Sequence, residues 1–120
     1  MITIEQLKEV KERTESLNRY LDIDGKKMQY EEEQIRTQDP SFWEDAKRAE
    51  AQMKLVKGLE KWIKDYAAVE TLVSELETAF EFFREELVSE EEVDDLYART
   101  LAAVEDLELK NMLRREEDSM

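Results

Sequence analysis

Carboxylates are the most numerous side chains here with chemistry to offer, and they come in runs. Glu31 to Glu33 is one run, and Glu90 to Asp95, broken only by Val93, is another. Carboxylates can bridge metal ions between helices, but bundles that do so add an inward-facing Glu-x-x-His pair. This chain contains no histidine. General acid–base work asks for a pocket that shifts carboxyl pKa values, and a thin helical chain has little interior to supply one. Both runs therefore read as solvated or capping positions, where charge runs on helices usually sit. Nucleophilic chemistry has no better footing. Ser16, Ser41, Ser74, Ser89 and Ser119 have no histidine base, there is no cysteine, and no glycine-rich loop exists to cradle phosphate. The expectation is a protein that is not an enzyme, with no catalytic residue, no metal and no cofactor.

Two other groups of side chains remain. Trp43, Trp62, Phe80, Phe82 and Phe83 could stack against a ligand, yet four of the five lie on or beside an apolar seam, so core packing is the better account. Lys54, Lys57, Lys61 and Lys64 are spaced three, four and three apart, which lines them along one helix face. Between Ala46 and Lys64 six bases stand against Glu50 and Glu60, whereas between Glu70 and Asp95 eleven acids stand against Arg84. A solvated face is the simpler reading of the lysines. The polarity nonetheless offers a partner two different surfaces, and the candidate partner-binding residues are Lys54, Lys57, Lys61 and Lys64 with Glu90, Glu91 and Glu92.

The elements that must position these residues follow from apolar spacing and from the scarcity of turn residues. Gly25, Gly58 and Pro40 are the only glycines and proline in 120 residues, too few for an all-β fold with turns every few residues. Thr3 and Gln6 form a capping box for a first helix, whose seam is Leu7, Val10, Thr14, Leu17 and Leu21. Asp22 to Gly25 reads as a break, with Asp24 as cap of a second helix that runs to about Gln38 and carries Met28 and Ile35 on one face. Asp39-Pro40 stops it, and Phe42 and Trp43 follow in a loop. A third helix from about Asp45 to about Glu86 carries Leu59, Tyr66, Val73, Phe80 and Leu87 at sevens, with Trp62, Val69, Leu76 and Phe83 interleaved. This is a heptad seam on a helix roughly 60 Å long. Gly58 within it costs about 1 kcal/mol against alanine, and either admits a closely packed neighbour or is incidental. Ser89 with Glu92 starts a fourth helix, with Val93, Leu96, Tyr97, Thr100, Val104 and Leu107 as its seam. The short link before Ser89 makes the two long helices antiparallel neighbours. From Leu113 to Met120 the period lapses, as in a linker.

Composition sets the outer limits. Charged residues make up 42% of the chain and hydrophobic ones 41%, a mixture that suits amphipathic helices better than disorder. The formal net charge of −14 repels phosphate backbones and favours basic partners, so general nucleic-acid binding is not expected. No apolar run approaches the ~20 residues of a membrane span, no signal-peptide core opens the chain, and the lack of cysteine fits a reducing compartment. A cytoplasmic location is expected.

Tyr20-Leu21-Asp22-Ile23-Asp24, then Lys26-Lys27, then Asp39-Pro40-Ser41-Phe42-Trp43-Glu44-Asp45 resemble the N-terminal domain of the bacterial peptide chain release factor 2 family, class I release factors. Leu107 to Leu113 and Glu116 to Met120 resemble that family's passage into its second domain. The resemblance spans essentially the whole chain, and the order and spacing of its motifs make it specific. It implies translation termination at UGA and UAA in the full-length protein, and for this part a helical arm reaching the ribosomal stalk base and the region where the GTPase release factor 3 acts. The family reads stop codons with Ser-Pro-Phe and triggers hydrolysis with Gly-Gly-Gln. Neither tripeptide occurs here, so neither role is carried to any residue.

The expected architecture is all-α, a long antiparallel helical hairpin, coiled-coil-like, braced by two shorter N-terminal helices. Residues 1–113 form the helical domain and 114–120 begin a linker to a decoding and catalytic core. The competing reading is a stand-alone coiled-coil adaptor or oligomerisation module. Coding sequence for Gly-Gly-Gln beyond Met120 would separate the two.

Overall fold

Side-chain oxygens set where each helix starts. In the computed structural model, which describes residues 1–119, Thr3 accepts from the Gln6 N–H at 3.1 Å while Gln6 Oε1 accepts from the Thr3 N–H at 2.8 Å. That capping box opens α1, Ile4–Leu21. Asp45 accepts from the Arg48 N–H at 3.2 Å and opens α3, Ala46–Arg84. Ser89 Oγ accepts from the Glu92 N–H at 3.2 Å and opens α4, Glu90–Ser119. Each stands in for a carbonyl that the first turn lacks.

Between α1 and α2 (Ile23–Arg36) the break is narrower than expected. Asp22, and not Asp24, is the cap. It adopts the left-handed conformation at φ 48°, ψ 59°, ends α1 and caps α2 at once, and accepts from the Gly25 N–H at 3.3 Å. Aspartate tolerates this conformation better than most residues, so one residue suffices to turn the chain. The Phe42-Trp43 segment is a single 3-10 turn, Pro40–Glu44, and not a loop. Proline takes its first position, where no N–H is needed, and the Asp39 carboxylate accepts from the Ser41 N–H at 3.0 Å and hydroxyl at 2.9 Å. The backbone N–H, then the hydroxyl, hold that carboxyl below its usual range.

With no strand among the described residues, the chain is all-α. α3 and α4 pair as the antiparallel hairpin, α1 packs against both, and α2 with the 3-10 turn packs on α3. The heptad positions Leu59, Tyr66, Val69, Val73, Leu76 and Phe80 are buried, and Val10, Leu17, Leu21, Val93, Val104 and Leu107 from α1 and α4 join the last five of them in one core. Two threonines lie on this seam without exposing an unmet hydroxyl, because Thr14 donates to the Val10 carbonyl at 2.8 Å and Thr100 to the Leu96 carbonyl at 2.7 Å. Arg13 ties α1 to α4 through Glu108, with contacts of 2.5 and 3.1 Å. The molecule measures 61 × 33 × 19 Å and its radius of gyration is 18.7 Å, against about 14 Å for a compact domain of this length. It is a rod.

Three expectations meet a different outcome. Leu87 is 65% exposed, because α3 ends three residues earlier and the chain has turned. Glu33, read with its neighbours as solvated or capping, is buried and accepts from the Gln52 amide of α3, while Met28 and Ile35 share the outward face of α2. Residues 114–119, read as the start of a linker, continue α4 without a break; Met120 lies outside the described residues.

Candidate partner-binding surface

The four lysines of the stripe are exposed on α3. Lys54 lies 3.9 Å from Glu50, Lys61 lies 3.7 Å from Asp65, and Lys64 pairs with Glu60. That last pair raises the Lys64 ammonium pKa and lowers the Glu60 carboxyl, chiefly through their hydrogen bond. Exposed pairs at this spacing hold their partners weakly, so the lysines remain available to a stronger anion. Asp65 also receives Lys110 of α4 at 3.8 Å, which joins the stripe to the second long helix.

The acidic surface lies at the tip of the hairpin, beyond the end of α3. Glu90, Glu91 and Glu92 occupy the exposed first turn of α4, where the helix dipole favours negative charge. The turn leading to them closes α3 with a left-handed Glu86 at φ 63°; the Leu87 N–H donates to the Phe82 carbonyl at 2.8 Å and the Glu86 N–H to the Phe83 carbonyl at 3.0 Å. This is a Schellman ending with glutamate where glycine is usual. It leaves Phe82, 43% exposed, and Leu87 together at the tip among Glu81, Glu85 and Glu86. The seven candidate residues thus form two separate surfaces, a stripe along the first half of α3 and the hairpin tip, and the acidic one has an apolar centre that charge counting missed.

A further concavity lies between α3 and α4. Gly58, Trp62, Leu113 and Arg114 line a groove of about 390 Å³. A methyl group added at Gly58 would meet nothing within 4 Å, so no helix packs closely there. Arg114 sits over the Trp62 ring at 5.7 Å and donates to Asn111 Oδ1 at 2.9 Å and the Tyr20 carbonyl at 3.5 Å. Lys26 donates to the neighbouring Leu21 carbonyl, and burial lowers its pKa, with the Arg114 charge adding to the effect. Two cations thereby gather at the carbonyl end of α1, where the helix dipole favours them. Arg114 falls where the apolar period lapses, so spacing gave no signal for it. Among the described residues no three His, Cys, Asp or Glu side chains are grouped to hold a metal ion, and no helix is long and apolar enough to cross a membrane. Trp43 is 52% exposed, its ring edge-to-face with Phe42 at 5.3 Å and its Nε1–H bonded to the Thr37 carbonyl, so it fastens the 3-10 turn and not the core.

No family model matches the chain. Curated relatives do. The chain is 30% identical over 122 residues to peptide chain release factor 2 of Acidovorax sp. (strain JS42), and equally to that of Acidovorax ebreus (strain TPSY). Each alignment takes 95% of this chain and 32% of the relative. With peptide chain release factor 2 of Aeromonas hydrophila subsp. hydrophila the identity is 33% over 107 residues, or 89% of this chain and 28% of the relative. The chain spans about a third of the length of the curated relatives it matches. The resemblance read from its motifs is borne out, and the match fits an N-terminal domain of release factor 2.

Proposed function

We propose that the chain serves translation termination as the N-terminal helical arm of a release factor 2, docking the factor on the ribosome while doing no chemistry itself. The observation that carries this reading is similarity along 89–95% of the chain to proteins of that name. In the full-length factor the arm accompanies termination at UGA and UAA, and its tip and lysine stripe are the surfaces offered to the ribosomal stalk base and to the GTPase release factor 3, in the cytoplasm. A rod with a lysine stripe along α3 and an acidic tip suits that task, because exposed charge steers encounter and fixes orientation more than it adds affinity.

The test places two charge reversals in a full-length factor bearing this domain: Lys54, Lys57, Lys61 and Lys64 to Glu, and separately Glu90, Glu91 and Glu92 to Lys. Stop-codon-dependent ribosome binding is measured at two ionic strengths, after thermal unfolding shows that each variant folds. At least one set slows association and flattens its salt dependence. If both folded variants bind and release peptide like the parent at both salts, the two surfaces are solvation only. The isolated chain releases no peptide from a stop-codon-programmed ribosome; hydrolysis surviving removal of contaminating full-length factor would show that the arm is an enzyme after all.

A further inference from the structure

The side of α3 turned away from the core carries one row from the lysine stripe through Ala68, Thr71 and Glu75 to Phe82, at steps of three, four and seven. All of these residues are exposed. The row is basic at one end and acidic at the other, where Phe82 stands beside Glu81, Glu85 and Glu86, and its middle is small enough for another helix to approach closely. We propose that this face pairs with the same face of a second copy, antiparallel, about a two-fold axis near Thr71.

Counting outward from that axis sets Lys61 against Phe82 of the second copy, Lys57 toward the turn after Arg84 that carries its Glu85 and Glu86, and Lys64 within a turn of its Glu75. Two-fold symmetry makes every contact twice. The lysine stems cover the Phe82 ring with their ammonium groups close to its face, which gives an exposed aromatic residue among acids a cationic partner. From Lys57 to Arg84, where α3 ends, the contact runs about 40 Å, at the 8–10 Å axis spacing of packed helices. The net charge of −14 on each copy opposes approach, but at physiological ionic strength charges beyond about 8 Å are largely screened. The stripe-to-tip contacts lie inside that distance.

This pairing does not rest on the termination reading, and it is tested on the isolated chain. Sedimentation over a rising concentration series shows the mass climbing from 14.3 kDa toward twice that value. Two charge variants, K54E/K57E/K61E/K64E and E81K/E85K/E86K, each keep the parent's helicity and stay monomeric alone, because each sets like charges together. Mixed in equal amounts they restore the dimer, since each now meets its complement. The chain has no cysteine of its own, so T71C reports the axis directly. It forms a disulfide dimer under mild oxidation, whereas R99C on α4 does not, and this comparison decides the matter should a charge variant unfold. A parent that stays at 14.3 kDa up to millimolar concentration, a mixture no heavier than its parts, or R99C cross-linking as readily as T71C overturns the inference.

Discussion

Leu76 and Leu87 both fall in the heptad frame of α3, yet Leu76 has 0% of its surface exposed and Leu87 has 65%. Replacing Leu76 with alanine removes buried methyl groups and leaves a cavity, so it destabilises by about 2–5 kcal/mol, whereas Leu87→Ala stays within about 0.5 kcal/mol. Urea unfolding of the two variants checks this, and equal losses would mean that the tip leucine is covered. The same spacing located Tyr66, which is 4% exposed and donates its hydroxyl to the Thr14 carbonyl at 3.3 Å. Periodicity identified it as apolar core and gave no hint of that bond, because it depends on where α1 lies. Burial, with Glu70 and Glu15 adding to it, raises the Tyr66 pKa above its usual 10.0. An acid whose folded pKa is raised stabilises the fold fully below its unfolded pKa and loses that contribution as pH climbs through the folded value. Stability therefore falls above about pH 10, and absorbance titration shows a late step, above the usual tyrosine range, that belongs to Tyr66. Tyr66→Phe abolishes the late step; its persistence in that variant would assign it elsewhere.

Three of the four α-helix starts were legible from residue type; the start of α2 and the end of α3 were not. Thr3, Asp45 and Ser89 are caps by virtue of a side-chain oxygen, which a sequence displays. Asp22 offers such an oxygen too, but its place as cap, like the ending at Glu86, depends on a left-handed backbone, which a sequence does not display, so the second cap was expected two residues late and α3 was expected to run past its turn. Glu86 holds a conformation that costs an L-residue about 1 kcal/mol or more. Glu86→Gly therefore raises stability by about 1 kcal/mol, visible as a higher melting temperature with helicity unchanged. Gly58→Ala gains about 0.5–1 kcal/mol by helix propensity, since its new methyl meets nothing. At Gly25 the same gain is offset, because a methyl there would come within 2.2 Å of the Asp22 carboxylate and displace the cap. Were Gly25→Ala to stabilise as much as Gly58→Ala, the shared Asp22 cap would be worth nothing.

At the scale of the molecule, the all-α hairpin and its bracing were readable because long amphipathic segments with short links leave few arrangements. How α1 lies was not readable, since its partners stand far off in the chain. The Ile2 N–H donates to Asp94 at 2.9 Å and Arg13 reaches Glu108, contacts that place α1 parallel to α4. The segment joining α3 to α4, by contrast, is only five residues, 85–89. Loop-closure entropy favours the contacts with the shorter separation, so the hairpin assembles first and α1 is laid onto it. Read in reverse, α1 is the part that comes away first. Amide hydrogen exchange of Val10 and Leu17 should then proceed by partial openings smaller than global unfolding, while Leu76 and Val104 exchange only when the whole rod comes apart. Equal protection in the two sets would mean that the three helices open as one unit. If α1 does peel away alone, the rod carries a built-in strap over its seam. A transient detachment would bare the apolar faces of α3 and α4 along the groove that α1 normally fills, making this the segment where proteolysis or misassembly begins.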